Sequence, residues 1–351
     1  PNFMKIAPII KAVEAVQNTG HKISYRLVHT GQHYDRQLSI SFFEELNIPE
    51  PDTNLAVGSG SHAQQTAQIM IKFEQELINH PCDYVLVVGD VNSTMACAIV
   101  AKKLHIKVIH VEAGLRSYDL KMPEEINRMV TDAITDLFFT TTTLAGDNLK
   151  KAGINGDSIH FVGNTMIDTL IANLDRLRQP EVYRQQNLSE GNFWVLTLHR
   201  PSNVDETKKL LTLLNLISQK AEGRLIIFPV HPRTLKSLKE LVELPANLIL
   251  TDPLPYLEFM YLVRNSMAVV TDSGGVQEET TYLNIPCITL RENTERPETV
   301  DIGSNLLCGM DIELLEDAFD QLNSGNWKQG TIPEKWDGKA AQRIVDVLLN
   351  T

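Results

Sequence analysis

Two carboxylates follow apolar, strand-length runs of the sequence at the point where each run ends. Asp90 comes after Tyr84–Val88 and one glycine, and Glu112 follows Val108–Val111 directly. In an open α/β sheet, ligands bind beyond the carboxyl ends of the parallel strands. Acidic side chains at two such ends would face the same cleft. The pattern therefore predicts a functional site at this edge of the sheet.

Structural roles are the alternative for both acids. Asp90 could cap the helix that follows it, and Glu112 could form an ion pair with Arg116. Asn92 and Ser93 are already available as caps, which leaves Asp90 free to face a cleft. Two acids at corresponding strand ends favour a site over two unrelated structural roles.

A third acid lies in the segment Pro123–Arg128, which reads PEEINR. Proline and acidic residues suit the first turn of a helix. Glu124, Arg128 and Asp132 recur every four residues on one face, where Glu124 and Arg128 can pair. An isolated Glu–Arg pair of this kind is typical of a solvated helix face. Because this pair follows two acids at strand ends, a role in the site is favoured. The side chains predicted to form the buried stripe of this helix are Ile126, Met129, Val130, Ala133 and Ile134.

A glycine-containing turn indicates an anion site in the second half of the chain. The apolar run Met267–Thr271 leads through Asp272 into Ser273, Gly274 and Gly275, where a helix begins. Exposed N–H groups at the positive end of a helix can bind a pyrophosphate. An acid one to two turns into that helix could accept hydrogen bonds from ribose hydroxyls. Any tight turn between a strand and a helix would use such glycines, so this signal is weak by itself.

His199 and Arg200 close another predicted strand, where an imidazole and a guanidinium can contact a diphosphate. No metal or cofactor is predicted to share that task. The ten histidines show no metal-ligand spacing, and no G-x-G-x-x-G motif follows a strand, which argues against NAD.

Short apolar runs alternate with helix-length amphipathic segments along almost the whole chain. This alternation predicts βαβ units with parallel sheets, and hence an α/β fold. The polar stretch Gln179–Gly191 separates two series of strands, which predicts two Rossmann-like domains. The predicted strands are Ile23–His29, Tyr84–Gly89, Lys107–Val111, Leu137–Thr140, Ser158–Val162, Phe193–Leu198, Leu225–Val230, Asn247–Leu250, Met267–Thr271 and Pro286–Leu290, and predicted helices include Thr94–Leu104, Leu210–Ala221 and Gly338–Leu349.

Composition narrows the classes of partner. The formal net charge of −12 argues against binding to nucleic acid or to an anionic membrane. No apolar run is long enough to span a bilayer, and no secretory signal is recognised. The cysteines, Cys82, Cys97, Cys287 and Cys308, are expected to be buried free thiols in a reducing cytoplasm.

Eight motifs in order resemble the non-hydrolysing UDP-N-acetylglucosamine 2-epimerase family across essentially the whole chain. The resemblance implies the fold of the B-type glycosyltransferases, in which two Rossmann-like domains face a central cleft. It assigns residues 1–163 and a returning helix, 337–351, to the N-terminal domain, and residues 164–336 to a nucleotide-binding domain. A homodimer is also implied. The motifs are PNFMKIAP (1–8), HTGQH (29–33), GDVNST (89–94), HVEAGLRS (110–117), PEEINR (123–128), HRP (199–201), SGGVQEE (273–279) and RENTERPE (291–298).

The chemistry of that family is reversible epimerisation at C2 of a UDP-sugar. The hydrogen at C2 has no neighbouring carbonyl, so simple deprotonation would be prohibitively costly. Family members are thought to eliminate UDP, form a glycal, and add UDP back with the opposite configuration at C2. This route requires a carboxylate base, an acid on the other face and cationic help for the departing diphosphate.

Residue-by-residue matching carries the family's site onto this chain. Asp90, Glu112 and Glu124 are the implied acids and bases, and which acid serves which face stays open. Arg128 would position Glu124, and His199 would contact the diphosphate. The implied substrate-binding residues are Lys5 and Ser273, Gly274 and Gly275 for the phosphates, Glu279 for the ribose, and Phe259 for the uracil.

Two further features of the family concern regulation and the start of the chain. Many bacterial members bind a second substrate molecule as an activator, and Gln32, His33, Gln37 and His231 match part of that site. The segment after His231 departs from the pattern of those enzymes, so activation is an open hypothesis. Family members also carry Gly-Thr-Arg before the proline that is Pro1 here. A molecule without that arginine is expected to have severely impaired catalysis.

Three other functions compete with this one. A hydrolysing 2-epimerase would release free N-acetylmannosamine and UDP, but HVEAGLRS and PEEINR resemble the non-hydrolysing branch more closely. A retaining glycosyltransferase of the same architecture would not need three acids in its first domain. A UDP-sugar sensor without catalysis would tolerate the replacement of Asp90 by Asn.

Overall fold

The computed structural model describes residues 2–31, 42–241 and 243–351. The chain folds into two compact units, Pro1–Ala172 with Glu334–Thr351, and Asn173–Pro333. Each unit is built on a parallel sheet, which confirms the predicted α/β fold with two Rossmann-like units. The boundaries between domains given above stay a prediction.

The first unit contains both ends of the chain. Its strands are β1 (Val28–His29), β2 (Thr53–Asn54), β3 (Tyr84–Val88), β4 (Lys107–Val111), β5 (Leu137–Thr140) and β6 (Ile159–Phe161). Its helices are α1 (Phe3–Asn18), α2 (His62–Asn79), α3 (Asn92–Lys103), α4 (Pro123–Ile134), α5 (Thr143–Lys151), α6 (Thr165–Asn173) and α15 (Ala340–Leu349), and residues 42–46 are also helical.

The main sheet of this unit has the order β3–β4–β5–β6, and β1 pairs with β2 separately. Its strands are apolar runs because helices cover both faces. Val85 and Val87 of β3 pack with α2 and α3, whereas Val88, with Val111 and Phe139, packs with α1 and the C-terminal helix α15. Helices therefore pack on both faces of the sheet whose carboxyl edge carries the predicted acids.

The burial of α4 is the reverse of the prediction. The apolar side chains expected to form its buried stripe are not enclosed: Ile126 is 47% and Met129 44% exposed, Ala133 is exposed, and Val130 and Ile134 are partly buried. The buried face is polar and carries Glu125, Asn127, Arg128, Thr131 and Asp132. This face is buried because it meets polar groups at the sheet edge, which overrides the usual inward placement of apolar residues.

The second unit has strands β7 (Phe193–Thr197), β8 (Leu225–Pro229), β9 (Leu248–Thr251), β10 (Ala268–Thr271), β11 (Cys287–Thr289) and β12 (Asn305–Leu307). Its helices are α7 (Glu181–Gln185), α8 (Pro201–Val204), α9 (Thr207–Lys220), α10 (Pro232–Leu238), α11 (Tyr256–Asn265), α12 (Gly274–Leu283), α13 (Pro297–Asp301) and α14 (Ile312–Asn323). The sheet order is β12–β11–β10–β7–β8–β9, so the direction of winding reverses between β7 and β10. A large apolar core fills this unit, in which Trp194 stacks on Phe319.

Most strand predictions agree with the structure. Nine of the ten predicted strands are present with bounds within about one residue, because buried parallel strands appear as continuous apolar runs. The exception is Ile23–His29, where only β1 forms. Helix α1 and the three-residue strand β12 were not predicted.

Two expectations from composition can be compared with the structure. The prediction that all four cysteines are buried is wrong for Cys82, which is an exposed free thiol, whereas Cys97, Cys287 and Cys308 are buried. Within the residues that the structure describes, no helix is long and apolar enough to cross a membrane.

Candidate functional site

The carboxyl ends of β3 and β4 bring Asp90 and Glu112 to the same edge of the first unit's sheet. Val88 lies opposite Val111 in the parallel register, and Gly89 donates its N–H to the Val111 carbonyl oxygen at 3.0 Å. Asp90 is partly exposed, whereas Glu112 is buried. The two predicted acids therefore follow neighbouring strand ends.

Lys5, from the first turn of α1, forms an ion pair with Glu112. The start of this helix is tied to the sheet because the Asn2 side-chain amide donates to the Val88 carbonyl oxygen at 2.8 Å. Glu112 has a φ of 68°, a left-handed conformation that is uncommon for residues other than glycine. Strained backbone that is held in place by its surroundings is concentrated at functional sites.

Arg128 is buried and binds two carboxylates. Its guanidinium forms an ion pair with Asp90 and donates a hydrogen bond to Glu125 Oε2 at 2.8 Å. Glu124 lies in the first turn of α4 and is partly exposed. The contacts of Arg128 thus link α4 to the end of β3, and the role in which it positions Glu124 stays a prediction.

Glu125 is a residue that the sequence did not single out. It is fully buried, and its carboxylate accepts hydrogen bonds from the Ser117 N–H at 3.0 Å, the Ser117 hydroxyl at 3.1 Å and the Tyr118 N–H at 3.0 Å. Glu125 therefore fixes the loop after β4 and supports the guanidinium that binds Asp90. Two consecutive glutamates at a helix start were the available signal, but they do not show which one points inward.

Asp132 forms the centre of a second buried network. Its carboxylate is 2.8 Å from His110 Nδ1 and 2.6 Å from Arg116 Nη1, and it accepts the Gly114 N–H at 3.2 Å. Burial alone would raise the pKa of Asp132, but the hydrogen bonds and charges of His110 and Arg116 hold it below its ordinary value. Arg116 therefore pairs with Asp132, and the alternative in which it pairs with Glu112 is wrong.

In the second unit, the reversal of strand order lies between β7 and β10, which is where such sheets bind ligands. Thr197 at the end of β7 lies opposite Thr271 at the end of β10. Beyond these strand ends, His199 Nδ1 lies 2.7 Å from Asp272 Oδ1. The fold therefore places the predicted diphosphate-contacting histidine beside the predicted phosphate-binding turn.

That turn begins α12. Ser273 is the N-cap residue, but its side chain makes no capping hydrogen bond within the described residues. A Cβ atom on Gly274 would lie 2.9 Å from Glu295 Oε1, so a side chain at this position would displace the Glu295 carboxylate. Ser273, Gly274 and Gly275 are all partly exposed, which leaves the positive end of the helix open to an anion.

Glu279 lies further along α12 and is 3% exposed. Burial raises its pKa to about 8; a hydrogen bond with Tyr256 opposes the shift, and the charge of Glu278 adds to it. Within the described residues, the Oε1 atom of Glu279 has no hydrogen-bond partner. A buried carboxyl with a vacant acceptor suits a ligand that brings hydroxyl groups. Phe259, on the neighbouring helix α11, is partly exposed.

Three residues of the predicted activator site, Gln32, His33 and Gln37, lie outside the residues that the structure describes. His231 is exposed at the start of α10, and its ring centroid is 6.1 Å from that of His199. Partial desolvation of the ring by its surroundings, together with the charges of His199 and Arg233, lowers the pKa of His231. Across residues 2–31, 42–241 and 243–351, no group of three or more His, Cys, Asp or Glu side chains could hold a metal ion.

Comparison with known proteins identifies relatives over the whole chain. The family model described as UDP-N-acetylglucosamine 2-epimerase matches residues 14–349. The UDP-N-acetylglucosamine 2-epimerase of Methanocaldococcus jannaschii is 43% identical, over 99% of this chain and 96% of its own length. A crystal structure of that enzyme in complex with UDP-GlcNAc and UDP superposes with a TM-score of 0.88, and the match covers 99% of this chain and 97% of the other at 42% identity.

A relative with a different substrate is almost as similar. The UDP-2,3-diacetamido-2,3-dideoxy-D-glucuronate 2-epimerase of Pseudomonas aeruginosa is 36% identical, over 99% of this chain and 96% of its own length. Inversion at C2 is therefore common to these relatives, whereas the groups on the rest of the sugar differ between them.

Proposed function

Because the chain belongs to the UDP-N-acetylglucosamine 2-epimerase family, we propose that it reversibly converts UDP-N-acetylglucosamine to UDP-N-acetylmannosamine. The observation that carries this proposal is the arrangement of acids at one sheet edge, each held by a cation. Asp90 is paired with Arg128, and Glu112 is paired with Lys5. A binding protein for UDP-sugars would not require such a set.

The arrangement suits proton transfer at C2. When UDP departs, C1 gains oxocarbenium character and the hydrogen at C2 becomes acidic enough for a carboxylate to remove it. Re-addition of UDP, with a proton delivered to the opposite face of C2, gives the epimer. Inversion requires groups on both faces of the sugar, so more than one acid must take part. Asp90, Glu112 and Glu124 are the candidates, and Lys5 and Arg128 hold the first two in place.

The second unit supplies groups that suit the UDP moiety. The open helix start at Ser273, Gly274 and Gly275 would bind phosphate oxygens, and His199 would contact the diphosphate. The vacant acceptor of Glu279 would receive a ribose hydroxyl, and Phe259 would contact the uracil.

The choice of sugar follows from the relatives. The relative from M. jannaschii bears the name of an enzyme for UDP-N-acetylglucosamine and has the higher identity of the two described above. The diacetamido-glucuronate sugar differs from UDP-N-acetylglucosamine by an acidic C6 group and an acetamido group at C3. We therefore assign the neutral sugar as the substrate and the acidic sugar as the alternative.

Product analysis tests this assignment. The protein is incubated with each UDP-sugar separately, and the nucleotide-sugars are separated by ion-pair chromatography with mass detection. We expect UDP-N-acetylmannosamine to appear from UDP-N-acetylglucosamine until both are present at equilibrium, with slower turnover of the acidic sugar. Accumulation of free N-acetylmannosamine with UDP would instead show hydrolysis, and turnover only when a sugar acceptor is added would show glycosyl transfer.

Helix α4 also supports the homodimer. Ile126, Met129, Val130 and Ala133 recur at i, i+3, i+4 and i+7 on its outer side, which gives an apolar stripe facing away from the sheet. Ile71 and Ile78 of α2 are 62% and 58% exposed on the same helical layer, since α2 packs on α3 and α3 on α4. An apolar stripe of this kind is typical of a subunit interface. We assign it to a second copy of the chain.

Two further parts of the proposal concern regulation and location. Activation by a second substrate molecule would involve His231 and the segment that contains Gln32, His33 and Gln37, and a hyperbolic rate curve would count against it. The four free cysteines are consistent with a reducing cytoplasm.

A further inference from the structure

Asp272 is a buried carboxylate to which the proposed reaction gives no role. It directly precedes Ser273 of the phosphate-binding turn and has no exposed surface. Its Oδ1 lies 2.7 Å from His199 Nδ1, and its Oδ2 accepts the Arg200 N–H at 2.9 Å and a side-chain N–H of Asn203 at 3.1 Å. Both carboxylate oxygens are therefore engaged by groups that follow β7.

We propose that Asp272 is a positioning residue that acts through His199 when UDP leaves the sugar. The inference rests on the proposed function, because it concerns the diphosphate that departs and returns. The side chain of Asp272 is fully buried, whereas that of His199 is 45% exposed. The imidazole thus connects an enclosed carboxylate to a surface that a ligand can reach.

The chemistry of the imidazole ring explains how Asp272 would assist the departure of UDP. Contact with the Asp272 carboxylate fixes Nδ1 as a hydrogen-bond donor, which leaves Nε2 as the nitrogen available to a ligand. If Nε2 also donates, to a phosphate oxygen, the ring is an imidazolium whose charge is matched by Asp272. Negative charge on the diphosphate increases as the C1–O bond breaks, so this contact is stronger for departing UDP than for the bound UDP-sugar.

The same carboxylate also sets where the ring lies. The His199 N–H donates to Asp272 Oδ2 at 3.0 Å, and the Asp272 N–H donates to the Thr197 carbonyl oxygen at 3.3 Å. These bonds tie the end of β7 to the end of β10 at the reversal of strand order. The imidazole is thereby held beside the helix start at Ser273, and both can face one diphosphate.

A merely structural role for Asp272 is the alternative, since it also accepts hydrogen bonds from the segment 199–203. A double-mutant cycle separates the two. The wild type, Asp272→Asn, His199→Ala and the double variant are compared by kcat and KM for UDP-N-acetylglucosamine and by the Kd of UDP from calorimetry. Asp320→Asn, which changes an exposed aspartate of α14, is the matched control for the loss of one charge.

If Asp272 acts through His199, Asp272→Asn lowers kcat roughly 10- to 100-fold and weakens UDP binding, while KM changes less than about threefold. The double variant is then as slow as His199→Ala alone, because Asp272 has no ring left to position. The control retains wild-type values. Multiplied losses of kcat and of UDP affinity in the double variant would overturn the proposal and show a structural role.

A second measurement does not depend on the folding of Asp272→Asn. The ¹⁵N spectrum of the histidine rings is recorded for the wild type with UDP bound, and the His199 signals are identified by their loss in His199→Ala. We expect both ring nitrogens to be protonated. An unprotonated Nδ1 would contradict the proposal. If the wild type fails to epimerise any UDP-sugar, the proposed function is wrong, but the UDP-binding cycle and this spectrum still decide whether Asp272 acts through His199.

Discussion

At the scale of single residues, the candidate acids depend on partners that are distant in sequence. Asp90 and Glu112 could be predicted, because position after an apolar strand is visible in the sequence. The residues that hold these acids in place could not be predicted. In the sequence Glu125 looks like its neighbour Glu124, and only the fold shows that the carboxylate of Glu125 is the buried one. The sequence likewise indicates only that Asp272 belongs to a turn, whereas in the structure its carboxylate contacts the His199 ring.

Glu279 gives a prediction about pH and stability. Its pKa rises from an ordinary 4.5 to about 8 in the folded protein, mainly through burial. Between those values the unfolded chain releases a proton that the folded chain keeps, so the ligand-free protein loses stability as the pH rises. Glu279→Gln removes this loss. We expect the Tm of Glu279→Gln to equal that of the wild type near pH 5 and to exceed it by several degrees near pH 8. The variant should bind UDP more weakly.

The neighbouring Glu278 provides the matched control. It is equally buried but forms an ion pair with Arg296 at 2.7 Å. Removal of one member of a buried ion pair destabilises a protein, so Glu278→Gln should have a lower Tm than the wild type at both pH values. Thermal unfolding followed by circular dichroism measures both variants. A constant Tm difference between Glu279→Gln and the wild type across this range would contradict the assigned pKa.

At the scale of elements, the strands were predictable and the orientation of one helix was not. Parallel strands covered on both faces are apolar throughout, and this is readable without knowing the fold. The orientation of α4 depends on what it packs against. Its polar side meets Asp90, the loop at Ser117 and His110, and these partners come from three other segments. A periodic pattern alone therefore gave the wrong buried face.

The outward apolar stripe of α4 leads to a prediction about assembly. Ile126→Glu combined with Met129→Glu places two like charges on the stripe without disturbing the unit's core, because both side chains are nearly half exposed in the single chain. We expect the wild type to be a dimer and the double variant a monomer at micromolar concentration, since buried charges without partners weaken an interface. Size-exclusion chromatography with light scattering measures the mass.

Leu314→Glu is the control for this experiment, because Leu314 is 52% exposed on α14 of the other unit. This variant should remain a dimer. A monomeric wild type, or a double variant that remains dimeric, would show that the stripe of α4 does not bind a second copy.

At the scale of the whole molecule, the sequence identified two Rossmann-like units and the family, and the family match confirms that resemblance. Motif order made this possible, because eight short segments in sequence are far more specific than any single one. Each unit places its candidate residues beyond the carboxyl ends of parallel strands, which is where the architecture predicts ligands. The acids belong to one unit and the groups suited to UDP belong to the other.

The most direct test of the account is the exchange of the C2 hydrogen. UDP-N-acetylglucosamine is incubated with the protein in deuterated water and followed by proton NMR. The account predicts UDP-N-acetylmannosamine with deuterium at C2, and deuterium also enters the remaining substrate as the reaction reverses. Asp90→Asn, which retains the shape of the side chain, should slow this exchange by roughly 100-fold or more. Epimer that retains the original C2 hydrogen would contradict proton transfer by these acids.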